Sequence, residues 1–229
     1  MAHKHSKKYR QIVTTFDQKA IYPISQAISL VKTTSPTKFD ATVELAFNLK
    51  IKAQSSKEQI RGVTVLPAGT GKTKKILVLT NTKNQEAIDA GADFVGGGDL
   101  ITKIQKENWF EFDIIIATPE IMAELSKIAR LLGPKGLMPN PKTKTVTVDV
   151  AQAISEVRKG QIEYRSDKFG NVHVILGKVS FSEEQLFENY RTMLDVIRKA
   201  KPVTVKGIYI KKISLSSTMG PGIKVQIEA

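Results

Sequence analysis

The chain has no cysteine, and its 229 residues include only three histidines, His3, His5 and His173. Disulfides and thiol catalysis are excluded, and zinc has no ligand set, because two of the histidines fall in the first few residues. A chain without thiols suits a reducing compartment. No run of about 18 apolar residues occurs, so no membrane span is expected. Residues 1–8 are basic with no apolar segment behind them, which does not fit a secretory signal. Acids are scarce: 22 Asp+Glu stand against 35 Lys+Arg, a net charge of +13. Such an excess favours polyanionic partners, either nucleic acid or an acidic membrane surface.

What is present alternates between two periodicities. Ile24, Ala27, Ile28 and Val31 recur at helical spacing behind Pro23, and residues 7–32 read as helical. Val43, Leu45, Phe47, Leu49 and Ile51 then alternate with Thr42, Glu44, Asn48 and Lys50, which makes residues 41–51 a half-buried strand with one polar face. Residues 61–66 read as a second strand. Residues 76–79 and 114–116 are apolar on both faces and alternate with helical stretches, among them one face of Ile121, Met122, Leu125, Ile128, Ala129 and Leu132. Doubly buried strands alternating with helices imply a parallel, three-layer α/β unit. Residues 146–148 read as a strand, Asp149 caps a following helix, and alternation returns in residues 162–164 and 172–176. Ser182-Glu183-Glu184-Gln185 is a capping box for a helix with Leu186, Tyr190, Met193, Leu194 and Ile197 on one face, and strands near residues 207–215 and 223–227 close the chain.

The expected fold is therefore α/β with two domains. Residues 1–66 and 161–229 form a discontinuous domain with an antiparallel sheet from both chain ends. Residues 67–160 form an inserted three-layer, Rossmann-like α/β domain. The charge divides along the same line. Residues 1–66 hold 11 Lys+Arg and 4 Asp+Glu, and residues 161–229 hold 11 and 7, an excess of +11; residues 67–160 hold 13 and 11, an excess of +2. The discontinuous domain should carry the polyanion surface.

Catalytic signatures fail on inspection. Gly69-Thr70-Gly71-Lys72-Thr73 ends like a phosphate-binding loop, but the glycine needed five positions before Gly71 is Leu66, and a strand follows where a helix N-terminus should meet the phosphates. A nucleotide-dependent enzyme built on this loop is the competing reading, and titration with nucleotide and magnesium separates the two. Gly96-Gly97-Gly98 lacks the dinucleotide spacing and reads as a tight turn. His173 stands on a strand with no partner for general-base work. No enzymatic activity, metal site or cofactor is expected.

RNA binding has better support. The polar face of residues 41–51 begins beside Lys38-Phe39, and Ser216-Ser217-Thr218-Met219-Gly220-Pro221 joins two strands of the same domain. Together these segments offer hydroxyl donors, a close-approach glycine and soft apolar surface, the set that folded RNA calls for. By composition alone, residues 218–221 also fit an ordinary turn, Phe39 a core position, and Lys168, in the turn of residues 166–170, a solvated charge.

Residues 131–142, LLGPKGLMPNPK, are the most unusual stretch. Regular structure cannot absorb three prolines and two glycines, so a shaped loop is expected, with its leucines and Met138 packed down and its lysines in water. The string GPKGLMPNPK resembles the signature of the L-one family of large-subunit ribosomal proteins. The resemblance runs through Lys7-Lys8-Tyr9, Lys38-Phe39-Asp40, Arg61-Gly62, Ala90-Gly91-Ala92-Asp93, Phe112-Asp113 and Ser217-Thr218-Met219-Gly220-Pro221, nearly the whole chain. It implies the same split two-domain fold, with direct binding to 23S-type rRNA in the mobile stalk beside the E site. It also implies help in releasing deacylated tRNA, and repression of translation by binding a similar fold in the protein's own operon mRNA. Carried over residue by residue, it assigns Thr42, Ser216 and Thr218 to ribose or phosphate, Met219 and Gly220 to close contact with the RNA, and Phe39 to shaping the surface. Glu44 would orient donors or accept from a 2′-hydroxyl, and Lys38 and Lys168 would meet phosphates. The implied state is a monomer off the ribosome, cytoplasmic or in the plastid stroma, with no membrane partner.

Overall fold

The alternating stretch after residue 41 becomes a long strand at the interior of a five-stranded sheet, in a computed structural model that describes residues 6–51 and 58–227. In chain order the helices and strands are α1 (Lys7–Val13), β1 (Ile21–Tyr22), α2 (Ile24–Thr33), β2 (Thr42–Leu49), β3 (Arg61–Val65), β4 (Ile76–Leu79), α3 (Asn84–Asp89), β5 (Phe94–Gly96) and α4 (Gly98–Glu107). Then come β6 (Ile114–Ala117), α5 (Met122–Leu125), α6 (Ala129–Leu132), α7 (Val150–Arg158), β7 (Gln161–Arg165), β8 (Asn171–Lys178), α8 (Glu183–Lys199), β9 (Ile210–Ser217) and β10 (Ile223–Val225). The described residues fall into two compact units. One joins the residues before 72 to those after 161, and the other is Lys72–Gln161. His3 and His5 lie outside the described residues.

In the discontinuous unit the sheet order is β1-β10-β9-β2-β8. β2 is antiparallel to both β8 and β9, while β1 joins β10 in parallel, so the sheet is mixed where a purely antiparallel one was expected. β1 itself corrects the reading of residues 7–32 as helical throughout. Ile21 and Tyr22 pair with Lys224 and Val225, and Pro23, which has no N–H for the ladder, ends the strand and caps α2. Residues 61–65 pair with β7 in a separate two-stranded sheet.

Val43, Leu45, Phe47 and Leu49 of β2 point to one core together with Ile28 and Val31 of α2, Leu176 of β8, and Leu186, Tyr190 and Met193 of α8. Each side chain of this size contributes roughly 1.5–3 kcal/mol when fully removed from water. Because α2 and α8 share that core, the opposite face of the sheet is open to solvent and carries Thr42, Glu44, Asn48 and His173. α8 is the best-defined helix. Ser182 Oγ accepts from Gln185 N and Gln185 Oε1 accepts from Ser182 N, with Glu183 and Glu184 at the positive end of the helix dipole and Arg198 and Lys199 at the negative end.

In the unit of Lys72–Gln161, β4 lies between β5 and β6, all parallel. Its four residues are fully buried. Leu77 and Leu79 face Ile104, Leu125 and Leu132, while Ile76 and Val78 face Ala87, Ile154 and Val157. Helices thus cover both faces of the sheet, as doubly apolar strands require. Two expectations change here. The helix of residues 121–132 is broken into short α and 3-10 turns, and Ser126 Oγ donates back to Met122 O at 2.8 Å, a contact that bends helices. Residues 146–148 make no strand but a single parallel bridge, Val146 to Ala117. Thr145 is committed to Asn140 N at 2.8 Å, and Val148 turns out to solvent.

The shaped loop expected over residues 131–142 starts only at Gly133, because Leu131 and Leu132 still belong to α6, with Leu131 at the surface rather than packed down, and from there the loop closes on itself. Gly136 takes φ +70, its N–H donates to Gly133 O at 3.0 Å, and Leu137 N donates to Leu132 O at 3.1 Å. Leu137 and Met138 pack on the core while Lys135 stays exposed, its ammonium 3.9 Å from the centre of the Phe110 ring. The phosphate-loop look-alike is used structurally. Lys72 Nζ is paired with Asp113 at 2.8 Å, and Lys75 N donates to the same carboxylate at 3.0 Å.

Acid should weaken both units. The Lys72 hydrogen bond, then the Lys75 N–H and the nearby lysines hold Asp113 below its ordinary value of 3.8. Burial works to raise Asp167, but the Asn171 side chain, the N–H groups of Asn171 and Phe169, and His173 together bring it below its own ordinary value. A carboxylate depressed in the folded state contributes stability that is complete above its unfolded pKa and lost as pH falls through the folded one. The melting temperature should therefore fall as pH drops below about 4, and less steeply in Asp113→Asn. An unchanged slope in that variant would remove Asp113 from the account.

Candidate nucleic-acid interface

At one end of the open sheet, where β2 begins and β9 ends, the ladder is finished by side chains. Val43 pairs with Ser217, and beyond that pair Thr218 N donates to Thr42 O at 3.0 Å while Thr42 N donates to Thr218 Oγ1 at 3.1 Å. The hydroxyl replaces the next ladder carbonyl because the chain turns away at Met219, which sits in the left-handed region at φ 64. That conformation costs a side chain with Cβ about 1–2 kcal/mol. Strain held at an exposed apolar residue points to a functional constraint on the turn. Gly220 N then donates to Ser217 O at 2.8 Å, and a Cβ on Gly220 would collide with Ser217 Oγ. A side chain there would have to push the Ser217 hydroxyl aside.

The segment between α2 and β2 supplies the other wall. Thr37 Oγ1 donates to Phe39 O at 3.1 Å, and Asp40 accepts from Ser180 N at 3.0 Å and Ser180 Oγ at 2.8 Å. Pinned on both sides, Phe39 projects outward at 61% exposure, so the alternative reading of Phe39 as core is wrong. Met219, at 76% exposure, faces the same open cleft of about 550 Å³, whose other lining is Ser6, Lys8, Tyr9, Pro36 and Thr37. Lys38 is exposed beside Phe39.

One row further into the sheet, Glu44 lies directly opposite Ser216. Both side chains stand on the outer face, as Thr42 and Thr218 do, one pleat period or about 7 Å away. Eight of the nine residues singled out from the sequence, Lys38, Phe39, Thr42, Glu44, Ser216, Thr218, Met219 and Gly220, thus meet at this end of the sheet. Lys168 does not. Its turn adjoins the far end of β2, where Leu49 N donates to Gly170 O at 2.9 Å, seven residues or about 23 Å along the strand from Thr42. That turn is built by Asp167, which accepts from Phe169 N, Asn171 N and Asn171 Nδ2, and Lys168 is an exposed residue within it.

Three contributors were missed. Lys178, opposite Thr42 at the end of β8, donates to Thr42 Oγ1 at 3.1 Å and reaches Asp40 O at 3.4 Å. No local pattern announces it, because its position depends on a register shift between Val43 and Glu44. Lys8 and Tyr9 could have been found, since a basic residue next to an aromatic is an RNA-contact signal. The cluster offers hydroxyls, a thioether, an aromatic ring and ammonium groups on a rigid strand end. It contains no nucleophile with a base beside it.

Residues 31–221 match the family model described as the ribosomal protein L1p/L10e family. The chain belongs to that family. The large ribosomal subunit protein uL1 of Mesoplasma florum is 62% identical over 224 residues, 98% of this chain and 99% of its own length. The uL1 proteins of Mycoplasma mycoides subsp. mycoides SC and Mycoplasma capricolum subsp. capricolum are 59% and 58% identical over 223 residues, each covering 97% of this chain and 99% of its own length. L1p/L10e proteins are structural components rather than enzymes, and the phosphate-loop reading is withdrawn with that assignment. Among the described residues no helix is long and apolar enough to cross a membrane.

Proposed function

We propose that the strand-end cluster of this L1p/L10e protein binds folded rRNA of the large ribosomal subunit directly, with Phe39 and Met219 against bases or sugars. Thr42, Thr218 and Ser216 bond to ribose or phosphate, Glu44 accepts from a 2′-hydroxyl, and Lys38, Lys8 and Lys178 neutralise phosphates. The observation that carries this reading is the reciprocal bonding of Thr42 and Thr218, which locks two distant segments together beneath two exposed apolar side chains. Fixed hydroxyls beside stacking surface suit the shape, 2′-hydroxyls and unstacked bases of folded RNA. Residues 1–66 with 161–229 serve as the RNA-binding domain, and residues 67–160 as a Rossmann-like companion.

Family membership supports the wider role: a mobile stalk beside the E site that assists release of deacylated tRNA. A surface that reads RNA shape accepts any transcript with the same fold, so repression of the protein's own operon mRNA follows from the same contact. Lys168, remote from the cluster, takes no part in it.

Filter binding to large-subunit rRNA fragments tests the proposal, with footprinting to locate the protected segment. Affinity should fall with salt at a log–log slope of about −0.7 to −0.9 per phosphate neutralised. Lys178→Met removes a cation and releases Thr42. It should weaken binding about tenfold at moderate salt and flatten the slope by about one phosphate, with little change in melting temperature. Equal affinity for mixed-sequence RNA would reduce the protein to a general polyanion binder.

A further inference from the structure

On the helical side of the discontinuous unit, away from the open sheet face, α2 and α8 enclose a groove of about 470 Å³ lined by Ser25, Ile28, Glu183, Glu184, Phe187, Glu188 and Arg191. Its apolar lining comes from the wholly buried Ile28 and the Phe187 ring, which is 37% exposed. Three carboxylates stand around these two side chains, and none of the three forms an ion pair among the described residues. Glu183 and Glu184 are accounted for locally, since acids in a first turn favour the helix dipole. Glu188, in the second turn, is not, and neither is a large aromatic left at the surface beside it.

The groove opposes the rest of the chain in sign. The protein carries +13 overall, yet this lining holds three acids and one base. Nucleic acid is therefore repelled here, because like charges facing each other across a contact are strongly unfavourable. We infer that this groove docks a cationic amphipathic protein segment, whose lysines or arginines pair with Glu184 and Glu188 while a bulky apolar side chain covers the exposed edge of the Phe187 ring. Helix-in-groove recognition of this kind combines an apolar anchor with a charged rim. The inference goes beyond the RNA-binding reading and does not depend on it. The full chain would hold RNA on its sheet end and a basic protein segment on its helical side at the same time.

The test is fluorescence anisotropy on the full chain with a labelled 14-residue peptide of alternating lysine and leucine pairs. A lysine–serine peptide of equal charge serves as control. The lysine–leucine peptide should bind, and Glu184→Gln/Glu188→Gln should weaken it at least tenfold. Phe187→Ser should do the same while leaving rRNA affinity unchanged. The glutamine pair keeps side-chain shape and gives up only the dipole interaction of Glu184, so loss of binding with cooperative melting retained supports the docking site. Unchanged affinity in both variants overturns it, as does equal binding of the lysine–serine peptide, which would reveal diffuse attraction only. Competition by bound rRNA overturns it as well, by placing the groove within the RNA face. So does a concentration-dependent dimer in sedimentation that the glutamine pair abolishes, since the occupant would then be a second copy of the chain.

Discussion

Met219→Asp should weaken rRNA binding by about 2–4 kcal/mol, at least thirtyfold, without unfolding the protein. Three separate effects point the same way. The thioether surface against the RNA disappears, and stacking or packing against a base is worth about 1–3 kcal/mol. A carboxylate is placed where phosphates approach, and like charges repel strongly once water is excluded. The turn itself should survive, because Met219 is mostly exposed and its φ of 64 lies in a region that aspartate tolerates better than methionine does. A companion variant separates the causes. Met219→Gly removes the side chain and relieves the backbone strain, so the fold should keep or gain stability while affinity falls by only the packing part. Filter binding with melting curves on both variants decides the matter. Wild-type affinity in Met219→Asp would mean that the strand end is not the RNA surface.

Asn189→Leu should destabilise the discontinuous unit by about 3–5 kcal/mol, though leucine branches at Cγ as asparagine does and is the better helix former. Asn189 is completely buried in α8 among Leu186, Tyr190 and Met193. Its Oδ1 accepts from Ala68 N at 3.1 Å, and its Nδ2 donates to Gly69 O at 3.0 Å and Leu176 O at 2.7 Å. The substitution strands three backbone groups without partners, the Leu176 carbonyl buried and the Ala68 and Gly69 groups partly so, and a buried unsatisfied group costs about 1–3 kcal/mol. Thr192→Ala removes only an exposed bond to Glu188 O and should change stability by less than about 0.5 kcal/mol. Urea unfolding measures both. A loss below about 1 kcal/mol in Asn189→Leu would show that the two carbonyls and the amide find other partners.

Asn189 also shows why part of the fold was illegible. The helical spacing of Leu186, Tyr190, Met193, Leu194 and Ile197 identified the buried face of α8, but a polar residue on that face reads as an interruption unless its partners are known. Those partners lie more than a hundred residues away in Ala68 and Gly69, and in the neighbouring strand at Leu176. The helix predicted for residues 121–132 failed for a local reason. Apolar periodicity does not distinguish a continuous α-helix from α and 3-10 turns in succession, since both present the same residues to the core. Phe39 misled composition in the opposite direction, because an aromatic is usually buried and only its pinned neighbours hold it out in water.

Sequence alone determined the elements whose signals are local: the alternation of β2, the doubly apolar β4 and β6, the capping box of α8, a shaped loop within residues 131–142 and the concentration of positive charge in the two chain ends. It also named eight residues of the candidate surface, through motifs separated by about 175 positions. Tertiary structure decided what depends on register and distance. It brought Thr42 against Thr218, added Lys178 through a shifted pairing, and sent Lys168 to the far end of the sheet. The physical reason is that periodicity and capping energies act within a few residues, whereas neighbours across a sheet are chosen by the packing of the whole core, which no short stretch of chain encodes.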